Sequence, residues 1–163
     1  MAIHKLLLED PSEDQFSLIA IHCSEEDYKM AFKLNQALGL QLRRHRLDLD
    51  FSVEGQSLTY PLFEFYHEAK YLQYFLVGNK CSYSAATLAP AQGLFAEMTT
   101  GKTKIAYLLP EFKKVDYFMK IETDSRPVAL RETISKINEI KEVISSYVIQ
   151  NDTIKTNNNL IFN

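Results

Sequence analysis

The clearest hydrophobic segment of the chain, Phe16–Cys23, is apolar at almost every position. A short β-rich run that is apolar at both parities predicts a strand buried on both faces. The next segment, Glu25–Leu38, has its apolar residues at helical spacing, which predicts an amphipathic helix. Ser24 and Asp27 have the spacing of a variant capping box at the helix start, and Gly39 predicts the helix end.

The pattern of apolar positions changes parity within the next predicted strand. Leu40 and Leu42 occupy even positions, whereas the apolar residues of Leu47–Val53 occupy odd positions. The basic segment Arg43–Arg46 lies between them. A strand of period two cannot change faces without an extra residue, so we expect a β-bulge or kink at this basic segment.

The remaining elements follow from shorter patterns. The pattern predicts strands at Leu58–Tyr66, Tyr71–Val77, Lys104–Leu109, Val115–Ile121 and Ser145–Gln150. Tyr71–Val77 is apolar at both parities, which favours a central position in the sheet. The segment Lys80–Lys104 is rich in Ser, Ala, Thr and Gly and predicts mostly loop. A helix is expected to open at Ser125–Pro127, with an isoleucine stripe that reaches Ile144.

This order of elements favours an α+β fold. We expect a two-layer sandwich with a mostly antiparallel sheet and two main helices on one face. The closing strand, helix and strand resemble a C-terminal βαβ unit of ferredoxin-like type. Residues 1–163 have the length of a single domain. Within it, residues 151–163 form a C-terminal tail whose apolar end either folds back onto the domain or docks on something else.

Composition narrows the class of protein. The net charge of −3 lacks the basic excess that supplies most of the affinity for duplex DNA, so we expect no DNA partner. The first ten residues lack the apolar region of a signal peptide, and no apolar run approaches the ~20 residues of a membrane span. We therefore expect a cytoplasmic protein that binds no membrane. In such a compartment Cys23 and Cys81 are expected to be free, buried or half-buried thiols.

The most distinctive motif of the chain is LPEFKKVDY, over residues Leu109–Tyr117. It resembles the motif that names the bacterial IPExxxVDY family, with Leu109 in place of the family's isoleucine. The positions that match are Pro110, Glu111, Val115, Asp116 and Tyr117. The likeness extends to the FSLIAI, KLNQALGL, YLQYFLVGNK and NNLIF segments. Because that family is uncharacterised, the resemblance implies no particular activity.

The motif residues favour a structural corner between two strands. Pro110 ends a strand and presets φ for a turn, and Glu111 has a carboxylate that can accept backbone N–H groups. Asp116 is placed to pin the return of the chain, and the hydroxyl of Tyr117 needs a partner if the ring is buried. The alternative is a binding role, since loops held by rigid strands often bind partners. Pro110, Glu111, Asp116 and Tyr117 are then the interaction candidates.

The sequence carries no catalytic, metal or cofactor signature. Glu111 and Asp116 lie in one loop with no sign that they converge on a pocket, as an acid–base pair must. The four histidines lack metal-ligand spacing. His22 and Cys23 are adjacent on a strand and therefore point to opposite faces. We expect no catalytic residues, no metal and no cofactor.

Three functions remain open. The leading hypothesis is a non-enzymatic protein–protein interaction or regulatory module, with self-association into a homodimer as one form. The alternative is an RNA-associated protein that uses Arg43, Arg44 and Arg46 beside strand tyrosines, although neighbouring acids such as Asp48 and Glu64 oppose it. A small-ligand-sensing regulatory domain is the third, on the analogy of its fold alone.

Overall fold

The computed structural model describes residues 16–53, 55–84, 102–124 and 127–162. These residues form two helices, α1 (Asp27–Leu38) and α2 (Leu130–Asn138). They also form strands β1 (Phe16–Cys23), β2 (Arg43–Arg44), β3 (Leu49–Val53), β4 (Gln56–Tyr60), β5 (Leu62–His67), β6 (Leu72–Gly78), β7 (Lys80–Ser84), β8 (Thr103–Tyr107), β9 (Tyr117–Thr123) and β10 (Val143–Ile149). Short 3-10 turns occur at Pro110–Phe112, Asn151–Thr153 and Asn157–Leu160.

The main sheet has six strands in the order β10-β1-β9-β6-β5-β2, and every neighbouring pair is antiparallel. Strands β9 and β10 are therefore parallel to each other and are separated by β1, so β9-α2-β10 is a split βαβ unit. Numbered in chain order, the four strands β1, β6, β9 and β10 lie in the order 4-1-3-2 of a ferredoxin-like sheet. The predicted α+β class and the closing βαβ unit are confirmed.

Both helices lie on one face of the sheet, as predicted. Their buried side chains, among them Met30, Leu34 and Ile137, pack with inward residues such as Ile19 and Met119. The opposite face carries a further layer. There the β3–β4 and β7–β8 hairpins and the C-terminal tail cover residues that include Leu18 and Phe118. Because the sheet is buried on both sides, β1 is apolar at both parities and its residues 18–21 are inaccessible to solvent.

Helix α1 ends where the sequence predicts but does not begin there. Gly39 adopts the left-handed conformation at φ +67°, and its amide donates to the carbonyl of Asn35. The predicted capping box of Ser24 and Asp27 is wrong. Glu26 precedes the first helical residue in extended conformation, and no side chain caps the helix. Instead, Oδ1 of Asp27 accepts from the neighbouring amide of Tyr28 at 2.7 Å.

The change of parity after Leu42 marks a change of layer. Leu42 packs in the core on the helix side, whereas Leu49 and Phe51 pack on the opposite face. The chain therefore leaves the main sheet after β2 and forms the separate β3–β4 hairpin. The expected kink is present, but it separates two strands and is not a bulge within one. A second break, at Pro61, divides the predicted strand Leu58–Tyr66, since proline cannot donate to a ladder.

Two other predicted boundaries are wrong. Lys80–Ser84 was expected to be loop but forms β7, which pairs with β8. Residues 85–101 of that predicted loop lie outside the described residues, as do residues 125–126 of the predicted helix opening, and the last two residues of the predicted loop begin β8. The isoleucine stripe does not continue to Ile144, because α2 ends at Asn138 and Ile144 belongs to β10.

Candidate functional site

The LPEFKKVDY motif forms a compact corner between β8 and β9, here called the 108–117 corner. Leu108 and Leu109 are buried, and Pro110 opens a 3-10 turn. The amide of Phe112 donates to the carbonyl of Leu109 at 3.0 Å, and the amide of Val115 donates to the carbonyl of Phe112 at 3.0 Å. Two successive tight turns thus return the chain into the sheet.

Asn79, between β6 and β7, holds this corner together. It is inaccessible to solvent, and its Nδ2 donates to the carbonyls of Phe112 at 2.8 Å and Val115 at 3.0 Å. Its Oδ1 accepts from the amide of Leu109 at 2.9 Å. Its own backbone N–H donates to the carbonyl of Asp116. One buried amide therefore binds three backbone groups of the corner, and it satisfies the amide of Leu109 and the carbonyl of Val115, which no strand or helix reaches.

The carboxylate of Glu111 binds the C-terminal tail. Its Oε1 accepts from the amides of Lys155 at 2.7 Å and Thr156 at 3.0 Å, and both oxygens lie 3.0 Å from the hydroxyl of Thr156. Burial acts to raise the pKa of Glu111, but these hydrogen bonds and one from its own backbone together lower the pKa below its usual value. The tail is thereby fixed to the motif through a charged acceptor.

Asp116 and Tyr117 bind the end of β1 and the residues that follow it, and Asp116 also binds Lys80 on β7. Oδ2 of Asp116 accepts from the amide of Cys23 at 3.0 Å, and Oδ1 lies 2.6 Å from Nζ of Lys80. The hydroxyl of Tyr117 donates to the carbonyl of Glu25. Burial raises the pKa of the Tyr117 phenol, so it remains a donor at neutral pH.

Three of the four interaction candidates, Glu111, Asp116 and Tyr117, are therefore engaged inside the chain. Glu111 binds the tail, whereas Asp116 binds β1 and β7, so the two carboxylates serve different segments. Tyr117 is buried, and only Pro110 is exposed. This geometry agrees with the interpretation as a structural corner, and the residues form no acid–base pair on a common cleft. Asn79 was missed as its key residue.

A second anchor of the tail is Lys120 on β9, which is only 6% exposed. Its Nζ donates to the carbonyl of Leu160 at 2.7 Å and lies 2.5 Å from Oε1 of Glu122. The rings of Phe16 and Phe162 lie over the ammonium, with centroids at 4.8 Å and 5.1 Å. Together with the burial of Leu160, these contacts hold the end of the tail on the face of the sheet opposite the two helices.

The arginines of the RNA hypothesis have acidic neighbours. Arg44 pairs with Asp48, and its Nη1 lies 3.9 Å from Asp27. Arg43 lies opposite Glu64 in the β2–β5 register. The tyrosines of the neighbouring strands do not form one continuous surface with these arginines. Tyr66 and Tyr71 are exposed, whereas Tyr74 is buried in the helix-side core.

The two edge strands of the main sheet differ in how well they are protected against pairing with a further strand. The β2 edge has two residues, both arginine. A short, charged edge resists pairing with another strand. The β10 edge has seven residues, VISSYVI, with no charge and no proline. Ile144, Tyr147 and Val148 are 76%, 43% and 37% exposed. This edge was not singled out from the sequence, although its uncharged β-branched pattern is visible there.

Asn138, the last residue of α2, reaches the middle of the β10 edge. Its Oδ1 accepts from the amide of Ser146 at 2.8 Å and from the Ser146 hydroxyl at 3.1 Å. Its Nδ2 donates to the Ser146 carbonyl at 3.4 Å. A side-chain amide thus makes the two bonds that a neighbouring strand would make. Elsewhere along β10 a β-bulge leaves Ile144 as the extra residue opposite β1.

Other chemistry is sparse in the part of the chain that the structure describes. No group of three or more His, Cys, Asp or Glu side chains there is placed to hold a metal ion. Neither α1 nor α2 is long and apolar enough to cross a membrane. Cys23 is buried and Cys81 half-buried, both as free thiols. Burial raises the pKa of the Cys23 thiol, which disfavours the reactive thiolate.

Comparisons with family models, with curated proteins and with solved structures find no match to this chain. The resemblance to the IPExxxVDY family therefore stays a prediction from the motif.

Proposed function

We propose that this chain is a non-enzymatic interaction module that associates with a second copy of itself along β10. The observation that carries the proposal is the uncharged, seven-residue edge with three exposed apolar side chains. Natural sheets protect such edges with charge, proline or short length, because unpaired N–H and C=O groups recruit other strands. The β2 edge of the same sheet has that protection, and β10 has much less.

The sequence of β10 favours a second copy as its partner. Antiparallel pairing about Ser146 would place Ile144, which is 76% exposed, opposite Val148, which is 37% exposed. This pair joins two β-branched side chains, which stabilise a sheet when they lie directly opposite. A pairing of this kind is isologous, because each copy offers the same strand to the other.

The amide of Asn138 sets the strength of this association. It occupies the N–H and C=O groups of Ser146 that a paired strand would use. Pairing at Ser146 would form two backbone bonds between the copies but release two side-chain bonds in each copy, so the freed Asn138 amides must bond to water and this position adds no net hydrogen bonding to the dimer. We therefore expect a concentration-dependent dimer and not an obligate one.

Light scattering after size separation, over a range of protein concentrations, tests the proposal. The wild-type chain is expected to shift from monomer to dimer as its concentration rises. Val148→Lys places a charge at the pairing edge and is expected to keep the chain monomeric. Ile105→Lys is the matched control, since Ile105 is 54% exposed on β8, outside the main sheet. Asn138→Ala uncovers Ser146 and is expected to favour the dimer.

Two results would contradict the proposal. The first is a wild-type chain and an Asn138→Ala variant that both remain monomeric at the highest concentration. The second is a dimer that Val148→Lys and Ile105→Lys weaken equally, since the contact would then lie elsewhere.

A further inference from the structure

A cleft of about 310 Å³ lies on the helix side of the sheet. The end of α1, the turn that leads into β6 and the start of α2 enclose it. Leu40, Leu72 and Val128 supply apolar wall, and Tyr74 lies among them. A volume of this size is at the lower end of the range for small-molecule sites, roughly 300–1,000 Å³.

The hydroxyl of Tyr74 is a buried polar group of this cleft that has no hydrogen-bond partner among the described residues. Tyr74 is only 7% exposed, and its ring stacks on Phe65 with centroids 6.3 Å apart. Its hydroxyl makes no hydrogen bond with any described residue. Among the described side chains, no fully sealed N or O atom is left without a hydrogen bond, so this hydroxyl is open to the cleft that Tyr74 lines. A buried tyrosine hydroxyl ordinarily has a partner.

The charge around the cleft is positive on balance. Lys70, Lys136 and Glu132 all line it. Nζ of Lys136 lies 2.7 Å from Oε1 of Glu132, so this pair is close to neutral. Lys70 also interacts electrostatically with Glu132, so the three side chains together carry one excess positive charge. The first turn of α2 presents the positive end of the helix dipole on the same side. His67 completes the polar part of the lining.

We propose that this cleft binds a small organic carboxylate with a short apolar body. The carboxylate would accept from the Tyr74 hydroxyl and lie near Lys70, while the apolar body would pack on Leu72 and Val128. A single excess cation matches a monoanion, whereas a phosphate dianion requires more donors than this wall supplies. The site is separate from the β10 edge, so its test is independent of the proposed dimer.

Amide NMR titration of the full chain with named probes tests the site. The probes are butanoate and hexanoate, with butanol and hexanol as neutral partners of the same length and inorganic phosphate as the competing anion. The carboxylates are expected to shift the amide signals of Gly39, Leu72 and Val128 in a saturable way. The alcohols and phosphate are expected to bind at least several-fold more weakly.

Two variants and two matched controls locate the contact. Tyr74→Phe removes the hydroxyl but keeps the ring on Phe65, and Lys70→Gln removes the cation. Each is expected to weaken carboxylate binding about fivefold, the effect of one lost hydrogen bond or charge contact. The controls are Tyr66→Phe, at an exposed tyrosine of β5, and Lys104→Gln, at an exposed lysine of β8. Both are expected to bind like the wild type.

Several results would overturn this inference. One is the absence of saturable shifts with either carboxylate. Another is equal binding of alcohols or tighter binding of phosphate, which would exclude a carboxylate site. Unchanged affinity in both Tyr74→Phe and Lys70→Gln would remove the contacts on which the site rests.

Discussion

Replacement of Asn79 by alanine is the sharpest test of how the 108–117 corner is held. The wild-type side chain makes three hydrogen bonds, to the carbonyls of Phe112 and Val115 and from the amide of Leu109. Asn79→Ala leaves the amide of Leu109 and the carbonyl of Val115 without a protein partner, whereas the carbonyl of Phe112 still accepts from the amide of Val115. Because Asn79 is inaccessible to solvent, water replaces these bonds only if the corner opens.

The expected loss of stability follows from this count. Each buried polar group left unsatisfied costs about 1–3 kcal/mol. Two such groups are left, and partial relaxation of the turns lowers their sum, so we expect Asn79→Ala to reduce the free energy of unfolding by about 2–4 kcal/mol. Small domains have a total of roughly 5–15 kcal/mol, so the variant is expected to be marginally folded. Asn79→Asp keeps the shape but removes both N–H donors, and we expect a similar loss.

Urea unfolding followed by circular dichroism measures the effect. Asn158→Ala is the control, since Asn158 is exposed and its substitution is expected to change stability by less than about 0.5 kcal/mol. A loss below about 1 kcal/mol for Asn79→Ala would show that water or another group satisfies the corner, and would refute the reasoning.

Three further predictions concern the tail and the helix end. Glu111 has a lowered pKa, so its contribution to stability is present above its ordinary pKa of 4.5 and is lost as pH falls through the folded-state value. Below pH 4.5 the urea midpoint should therefore fall less steeply with decreasing pH in Glu111→Gln than in the wild type. An equal dependence of the midpoint on pH in the two proteins would contradict this. Lys120→Met keeps the packed stem but loses the ammonium bound to Leu160, and about 1–3 kcal/mol of stability should be lost, with faster amide exchange in the tail. The Cβ that Gly39→Ala adds has no atom within 4 Å, so the variant should lose only the cost of a left-handed alanine, about 1 kcal/mol of stability, as measured by thermal unfolding.

The sequence predicted those features that depend on residues close together in the chain. The strand Phe16–Cys23 is buried on both faces, and Gly39 ends α1, because each effect acts within a few residues. The end of α2 was misjudged, since Ile137, Ile140 and Ile144 continue a helical spacing by coincidence. The short loop that follows Asn138 carries Ile140 back to the core, and Ile144 then falls on a strand.

The organisation of the site depends on distant contacts, which the sequence pattern does not contain. Asn79 is separated by 30 residues from Leu109 and by 36 from Val115, and nothing near it marks it as buried. The contacts of Glu111 with Thr156 span 45 residues. In contrast, the roles of Pro110 and Tyr117 follow from their own chemistry, because proline stops a strand and a buried phenol requires a partner.

The β10 edge can be tested most directly by hydrogen exchange at Val148 as a function of protein concentration. The amide of Ser146 is engaged by Asn138, so by the alternation of a strand the amide of Val148 also points away from β1. If a second copy pairs along β10, exchange at Val148 slows as the chain is concentrated from micromolar to millimolar. Amides of β6, which has strand partners on both sides, serve as the unchanged reference. An exchange rate at Val148 that is independent of concentration would contradict association through this edge.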